Sequence, residues 1–379
     1  MKGPAFEVTA RDGRARAGKL VTPHGEVETP VFMPVGTAGA VKAVRHRDLR
    51  ELGVALVLAN TYHLMLRPGE AVIAALGGLH GFTGWDGAFL TDSGGYQVFS
   101  LAALRRIDED GVRFRSHLDG SSHLLTPERS IEIQARLGAD LAMAFDECPP
   151  GDAAREAVEA ATQRTTRWAR RCRDAHDRDG QWLLGIVQGG VHLDLRERSA
   201  RELVALDFPG YAVGGLSVGE PSESRYPVLD ELDRILPVDR PRYLMGVGTP
   251  GEIVESVARG IDMFDCVLPT RNARNGQLFT KRGRLSIRRA RYRDDPRPPG
   301  PDCPCSTCRT TSRAYLHHLY RGGEMAAATL MTVHNLFVYL DIMGAIRQSI
   351  RLCRFGEYRR ELLRSLATRD EDEEARGAP

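Results

Sequence analysis

Two rhythms alternate along this chain. Short apolar, β-branched runs end in a polar or glycine-bearing phrase, and a stretch with apolar residues at helical spacing follows. The runs cover 30–36, 55–60, 88–90, 141–145, 183–187, 211–216, 243–247 and 263–268, which makes eight strand candidates. Helical patterns lie between them at 126–137, 153–177, 195–206, 223–236 and 251–260. The first of these has Thr126 as N-cap and Pro127 at the first helical position, where a missing N–H costs nothing. Eight βα units in about 250 residues predict a closed parallel barrel of the α/β class, a (β/α)8 TIM barrel. An open doubly wound sheet is the competing arrangement, but no G-x-G-x-x-G phrase follows the first strand. Residues 6–30 alternate apolar and polar positions, with turn signals at Asp12-Gly13 and His24-Gly25, and predict a hairpin cap ahead of the barrel. Residues 112–125 predict a second hairpin turning at Asp119-Gly120, and 324–351 reads as one long helix.

Composition narrows the class. At 379 residues, 42% hydrophobic and 27% charged, the chain can bury a large core and has the balance of a soluble globular protein. No charged leader precedes an apolar stretch near Met1, and no run approaches the eighteen or so apolar residues of a membrane span. A cytoplasmic protein with no membrane partner is therefore expected. The net charge of +2 predicts no partner, but its distribution does. Between 281 and 313, ten Lys and Arg stand against three Asp, which leaves +7 in thirty-three residues. A solvated basic face is the plain alternative, yet arginine-rich clusters suit a phosphate backbone. At the other extreme, the acidic run 370–374 is followed by no large apolar residue and predicts a disordered tail.

Three of the seven cysteines fall in CPCSTC at 303–308. Cys303, Cys305 and Cys308 with His334 make a complete tetrahedral set for one structural zinc ion per chain, with no position left for water. His317 and His318 are rival fourth ligands. The remaining cysteines, Cys148, Cys172, Cys266 and Cys353, are scattered and fit a reducing compartment.

In a parallel barrel the chemistry gathers at the carboxyl ends of the strands. Asp92, Asp146, Gln188, Gly215 and Asp265 wait there. Taken singly, each acid is an ordinary cap or turn residue. Two carboxylates facing one bond suit acetal chemistry, one attacking the anomeric carbon and the other moving protons. A carboxylate and an amide together can read the edge of a nucleobase. The combination predicts cleavage of an N-glycosidic bond on a nucleic acid.

The stretches TDSGGYQ at 91–97, FDEC at 145–148, IVQGG at 186–190, AVGGLS at 212–217, YLMGVGTP at 243–250 and FDCVLPTR at 264–271 resemble the signatures of bacterial tRNA-guanine transglycosylases. The zinc set, with His334 and Asn335, is similar too, and the resemblance runs from about Phe6 to Arg354. It implies exchange of guanine at the wobble position of GUN-anticodon tRNAs for preQ1, with the tRNA anticodon loop as partner and a homodimer as assembly. Asp265 resembles the nucleophile that forms a covalent ribosyl-enzyme, and Asp92 the general acid/base. Asp146, Gln188 and the Gly215 N–H resemble the base-edge readers, with Ser93, Cys148, Leu216, Val218 and Glu220 around the pocket. Tyr96 and Met245 resemble the plates that sandwich the base, although on the residues alone core packing is the better account of an aromatic and a methionine. Gly246, Val247, Gly248, Thr249, Pro250, Gly251 and Glu252, together with Thr270, Arg271, Asn272, Ala273 and Arg274, resemble the RNA-contacting loops.

The expected organisation is a hairpin cap and catalytic barrel over 1–276, a basic zinc-binding subdomain over 277–335, a C-terminal helix on the barrel over 336–366, and the tail over 367–379. A non-catalytic tRNA-binding subunit of a heterodimer is the alternative, but it would lack the catalytic acids. An archaeal relative would carry a further C-terminal RNA-binding domain, which the short stretch after Arg354 does not suggest.

Overall fold

The computed structural model describes residues 5–101 and 105–367; the predicted acidic tail lies outside them. Strands β1 (Ala5–Asp12), β2 (Ala15–Thr22) and β3 (Gly25–Thr29) form an antiparallel sheet, one strand more than a hairpin. The barrel begins with β4 (Val31–Pro34), β5 (Leu56–Ala59) and β6 (Ala88–Thr91). An antiparallel insertion, β7 (Arg105–Ile107), β8 (Val112–Arg115) and β9 (Ser122–Leu125), separates β6 from β10 (Leu141–Met143). The barrel then continues with β11 (Trp182–Val187), β12 (Tyr211–Val213), β13 (Arg242–Leu244) and β14 (Met263–Cys266).

Neighbours run β4-β14-β13-β12-β11-β10-β6-β5, with every pairing parallel. The circle closes where Gly36 N donates to Leu58 O at 2.7 Å and Val35 bridges Leu58. Each predicted run coincides with one strand to within three residues at either end.

Alternation sorts the side chains. Val31 and Met33, Leu56 and Leu58, Leu184 and Ile186 share the inner cluster with Tyr243 and Met263. Their neighbours Phe32, Val57, Leu183, Val187 and Phe264 face the surrounding helices instead. At Gly185 a Cβ would lie 2.8 Å from the Phe208 ring, so the missing side chain lets that ring close on the strand. Leu20 and Val27 of the N-terminal sheet join the inner cluster with Trp182 and seal the barrel's amino-terminal end. Arg16 latches this sheet down: its Nε donates to Asp262 Oδ1 at 3.0 Å and its Nη2 to Asp262 Oδ2 and, at 2.9 Å, to Arg240 O. Asp262 also accepts Arg242 N at 2.7 Å.

After β14 the chain forms a short helix, Leu268–Arg274, and the hairpin β15 (Gln277–Thr280) and β16 (Gly283–Ser286). Two more helices follow, Ser306–Thr310 and Arg313–Arg321. This subdomain has its own small core around Leu278, Leu285, Tyr292, Leu316 and Met331. The helix Met325–Arg351 then carries the chain back onto the barrel. Its Tyr339 ring lies 4.8 Å from that of Phe32, the Tyr339 hydroxyl donates to Gly248 O at 2.6 Å, and Arg347 Nη1 donates to Pro30 O at 2.8 Å. The boundary expected between 335 and 336 thus falls inside one continuous helix. That helix is long and apolar enough to cross a membrane, which the reading of apolar runs did not anticipate. More than half of its most apolar window is buried against the barrel and the subdomain, as suits a core helix.

Because Arg16 and Asp262 are 2% and 0% exposed, removing one strands the other. Arg16→Met is expected to cost about 3–5 kcal/mol in urea unfolding. A loss below about 1 kcal/mol would show that the latch is dispensable.

Candidate active site and metal cluster

Three carboxylates stand on the carboxyl-terminal rim, and each is held by neutral donors. Asp92 follows β6. Its Oδ2 accepts from Asn60 Nδ2 and, at 2.8 Å, from Gln97 Nε2. Its Oδ1 accepts Thr61 N at 2.8 Å and Gly94 N at 3.2 Å. Burial nevertheless pushes this carboxyl up to about 6 against all four bonds. Asp146, beyond β10, accepts Ser93 Oγ at 3.0 Å and Gln188 Nε2 at 2.7 Å, and burial lifts it to about 6 as well. Asp265 lies in β14, where Tyr243 OH donates to its Oδ1 at 2.6 Å and Gly246 N does so at 2.7 Å. Burial raises its pKa too, and burial with the Asp265 and Asp92 charges raises the Tyr243 phenol well above its usual range. Tyr243 therefore stands within the field of both acids.

Gln188 and Gly215 meet at the ends of β11 and β12. A Cβ on Gly215 would lie 2.2 Å from Gln188 Oε1, and its φ of +63° is left-handed, so no side chain belongs there. Gln188 Oε1 is buried without a hydrogen-bond partner, an acceptor that a ligand's donor would satisfy. Leu216 is buried and Val218 half-buried. The Cys148 thiol is pushed up to about 12 by burial and the Asp146 charge, which keeps it protonated. Glu220 accepts the N–H groups of Ser217 and, at 3.0 Å, Val218. Tyr96 is 51% exposed and Met245 half-buried, so core packing does not account for Tyr96.

Cys303, Cys305, Cys308 and His334 converge. His334 Nδ1 lies 3.7, 3.6 and 3.2 Å from the three sulfurs, while Nε2 bonds Phe279 O at 2.8 Å. Tetrahedral bonds of roughly 2.3 Å to sulfur and 2.1 Å to nitrogen put those atoms about 3.6 Å apart, so the set can hold a metal ion. Burial opposes charge on His334, but Cys303 and Cys305 outweigh it and raise its pKa to about 9. A divalent cation would take the place of that proton. His317 Nδ1 instead bonds Ile287 O at 2.7 Å, and His318 stacks on Tyr315, which leaves neither as the fourth ligand.

A second cluster, His24, His80 and Asp140, lies at the opposite end of the barrel beside a cavity of about 750 Å³. Its two rings stack 3.4 Å apart at 11°, so their lone pairs run parallel and do not converge on one ion. Asp140 bonds His24 Nδ1 at 2.7 Å and Phe89 N at 2.8 Å, which ties the floor sheet to the barrel.

The segments expected to meet RNA are less open than their sequence suggests. Val247, Pro250, Thr270 and Ala273 are buried, whereas Gly246 and Arg271 are exposed and Arg274 is half-buried. Thr249 and Glu252 form a capping box at the start of the helix Pro250–Val257. Within the basic stretch, Lys281 pairs with Asp341 and Arg282 with Asp302. Arg297 and Arg313 both reach Asp295. Sequence reasoning missed Asn60 and Tyr243, whose only signal was a polar residue at or after a strand. It also missed Arg196, whose buried guanidinium donates to Val187 O, Gly190 O and Gly214 O at 2.7, 2.7 and 2.8 Å. Burial lowers its pKa to about 9, and it clips together the loops that present Gln188 and Gly215.

Known proteins carry the same framework. A family model described as queuine tRNA-ribosyltransferase matches residues 12–368. A queuine tRNA-ribosyltransferase of Pelotomaculum thermopropionicum is 57% identical over 362 residues, covering 95% of this chain and 98% of that protein. One from Desulforamulus reducens is 58% identical over 359 residues, covering 95% and 97%, and one from Thermus thermophilus is 55% identical over 359 residues, covering 95% and 93%.

Gly215→Ala tests the close approach at the pocket. The left-handed φ alone costs roughly 1–2 kcal/mol, and the methyl must displace Gln188. Guanine affinity, followed by titration calorimetry, is expected to fall about tenfold or more. Unchanged affinity would remove Gln188 from the pocket.

Proposed function

This chain belongs to the queuine tRNA-ribosyltransferase family, and from that premise we propose how its residues share the work. The activity is that of a tRNA-guanine transglycosylase, an enzyme of queuosine biosynthesis. The tRNA substrate carries guanine at the wobble position of a GUN anticodon, and the incoming base is preQ1.

Asp265 is the nucleophile. Both of its hydrogen bonds go to Oδ1, which leaves Oδ2 for C1′ of the ribose. Oδ2 attacks that carbon, the glycosidic electron pair leaves with guanine, and guanine takes the proton that Asp92 holds. The incoming base gives a proton to Asp92, and its nitrogen attacks C1′ and expels the Asp265 carboxylate. Two inversions keep the β-configuration. A carboxyl near 6 can hold or release a proton at neutral pH, which suits Asp92 to this exchange. Asp146 accepts the base's N–H groups, and Gln188 and the Gly215 N–H complete the edge. Tyr96 and Met245 supply apolar faces to the ring. Arg271 and the exposed Gly246 turn face the RNA backbone. The Cys3His set holds one structural zinc ion, which adds rigidity and offers no open position to substrate.

The single observation that carries this reading is the division of the rim. Asp265 has one oxygen pinned and one available, while Asp92 is poised near 6 among neutral donors. A non-catalytic subunit would not need either arrangement.

Incorporation of labelled guanine into tRNA is the first test, and a denaturing gel of enzyme with labelled anticodon stem-loop is the second. The unaltered enzyme should give both exchange and an RNA–protein adduct, Asp265→Asn neither, and Asp92→Ala an adduct that the incoming base fails to resolve. An adduct with Asp265→Asn would move the nucleophile elsewhere.

Guanine affinity should fall as pH drops through about 6, because protonation removes an acceptor from Asp146 and the base form of Asp92. Titrations between about pH 5 and 8 check this, and affinity that is flat or rises toward the acid end contradicts it. For the metal, purified enzyme should contain one zinc per chain. Cys305→Ser should lower zinc content and thermal stability while guanine still binds; full stability without metal would refute the structural role.

A further inference from the structure

Nothing in the sequence singles out Arg225, yet it touches the carboxylates of two loops, Glu220 and Glu252. It opens the helix Arg225–Ile235, and its side chain is 6% exposed. Its Nε lies 3.3 Å from Glu220 Oε1, and its Nη2 donates to Glu252 Oε1 at 2.7 Å and to Ser222 Oγ at 2.6 Å. Glu220 in turn holds the Ser217 and Val218 amides, directly after Gly215 and Leu216. Glu252 holds the other loop: its Oε2 accepts Thr249 N at 3.1 Å and Thr249 Oγ1 at 2.7 Å. One buried guanidinium therefore bridges two carboxylates, each of which pins the backbone of a different loop.

A carboxylate this enclosed is costly without a countercharge. Glu220 is 4% exposed and Glu252 18%, and both lie against the same guanidinium, so a shift of either changes the field at the other. For Glu252, burial works to raise the pKa, while the bonds from Thr249 and the charge of Arg225 more than offset it. Within the pocket loop Ser217 holds a left-handed φ of +66°, a conformation that costs a residue with a side chain and that the Glu220 bonds help to hold.

We propose that Arg225 is a positioning residue that couples base occupancy to tRNA engagement. A base seated against Gly215 and Leu216 fixes the pocket loop and Glu220. Arg225 then holds Glu252, and with it the capping box under the Gly246–Thr249 turn, in the form that receives RNA. Ordering done for one ligand need not be repeated for the other, so each should tighten the other. This rests on the assignment of these two loops to base and tRNA made above.

The test uses the full-length enzyme, guanine, and an anticodon stem-loop that is abasic at position 34, so that RNA and free base do not compete for the pocket. In the unaltered enzyme the stem-loop should tighten guanine binding at least about fivefold, and guanine should tighten the stem-loop by the same factor. In Arg225→Met that factor should fall below about twofold, while affinity for each ligand alone stays within about threefold. Arg225→Lys keeps the charge but loses the fork that spans two carboxylates, and its factor should fall to less than half. It decides the matter if the methionine variant does not fold. The coupling is overturned if the unaltered enzyme shows no factor above twofold, or if the variants keep the full factor while only separate affinities drop. Failure of the unaltered enzyme to incorporate labelled guanine into intact tRNA would instead overturn the assignment of the site.

Discussion

The rim depends on one constraint: its carboxylates are largely shielded from water yet held by neutral groups. Asn60, Gln97 and two amides hold Asp92, Ser93 and Gln188 hold Asp146, and Tyr243 and an amide hold Asp265. An adjacent arginine or lysine would have fixed these acids as permanent anions. Neutral donors offset only part of the desolvation, so Asp92 and Asp146 come to rest near 6, within reach of either protonation state at neutral pH. At the opposite end the partners are charged or titratable instead: Asp262 is met by Arg16, and Asp140 by two imidazoles, and these contacts fasten the N-terminal sheet to the barrel.

Much of this was legible in the chain, for physical reasons. A strand covered on both faces must be apolar throughout, so eight short runs stood out, and the polar phrase after each marked the rim. The clustered thiols were as plain, since their chemistry needs close spacing. What stayed hidden was whatever depends on which loops become neighbours. Asn60 looks like any polar residue ending a strand until the barrel sets it against Asp92. Arg196 and Arg225 sit in ordinary amphipathic helices, and only the fold turns them inward. The same limit applies to the segments expected to meet RNA, where the side chains of Val247, Pro250, Thr270 and Ala273 are buried. It also applies to the basic stretch, part of whose charge is matched by Asp295, Asp302 and Asp341.

The helix Met325–Arg351 unites two tasks that the sequence suggested assigning to separate units. Near its start His334 completes the thiol cluster, and Asn335 accepts Phe279 N at 2.8 Å and donates to Pro269 O at 2.9 Å. Five residues later Tyr339 packs on β4 and donates to Gly248 O at the turn after β13. One helical rod thus ties the Cys3His cluster to the barrel wall.

That helix also dictates a timetable for synthesis. Strand β4 at Val31–Pro34 finds its partner β14 only when Met263–Cys266 has emerged, and its outer face is covered only by a helix that ends at Arg351. Until then a nascent chain carries an unpaired parallel strand edge and the bare ring of Phe32. Such surfaces invite aggregation, and long-range parallel pairing is slow. On the ribosome this enzyme is a late closer. The hazard follows from the order in which the helix and the strand it covers are made.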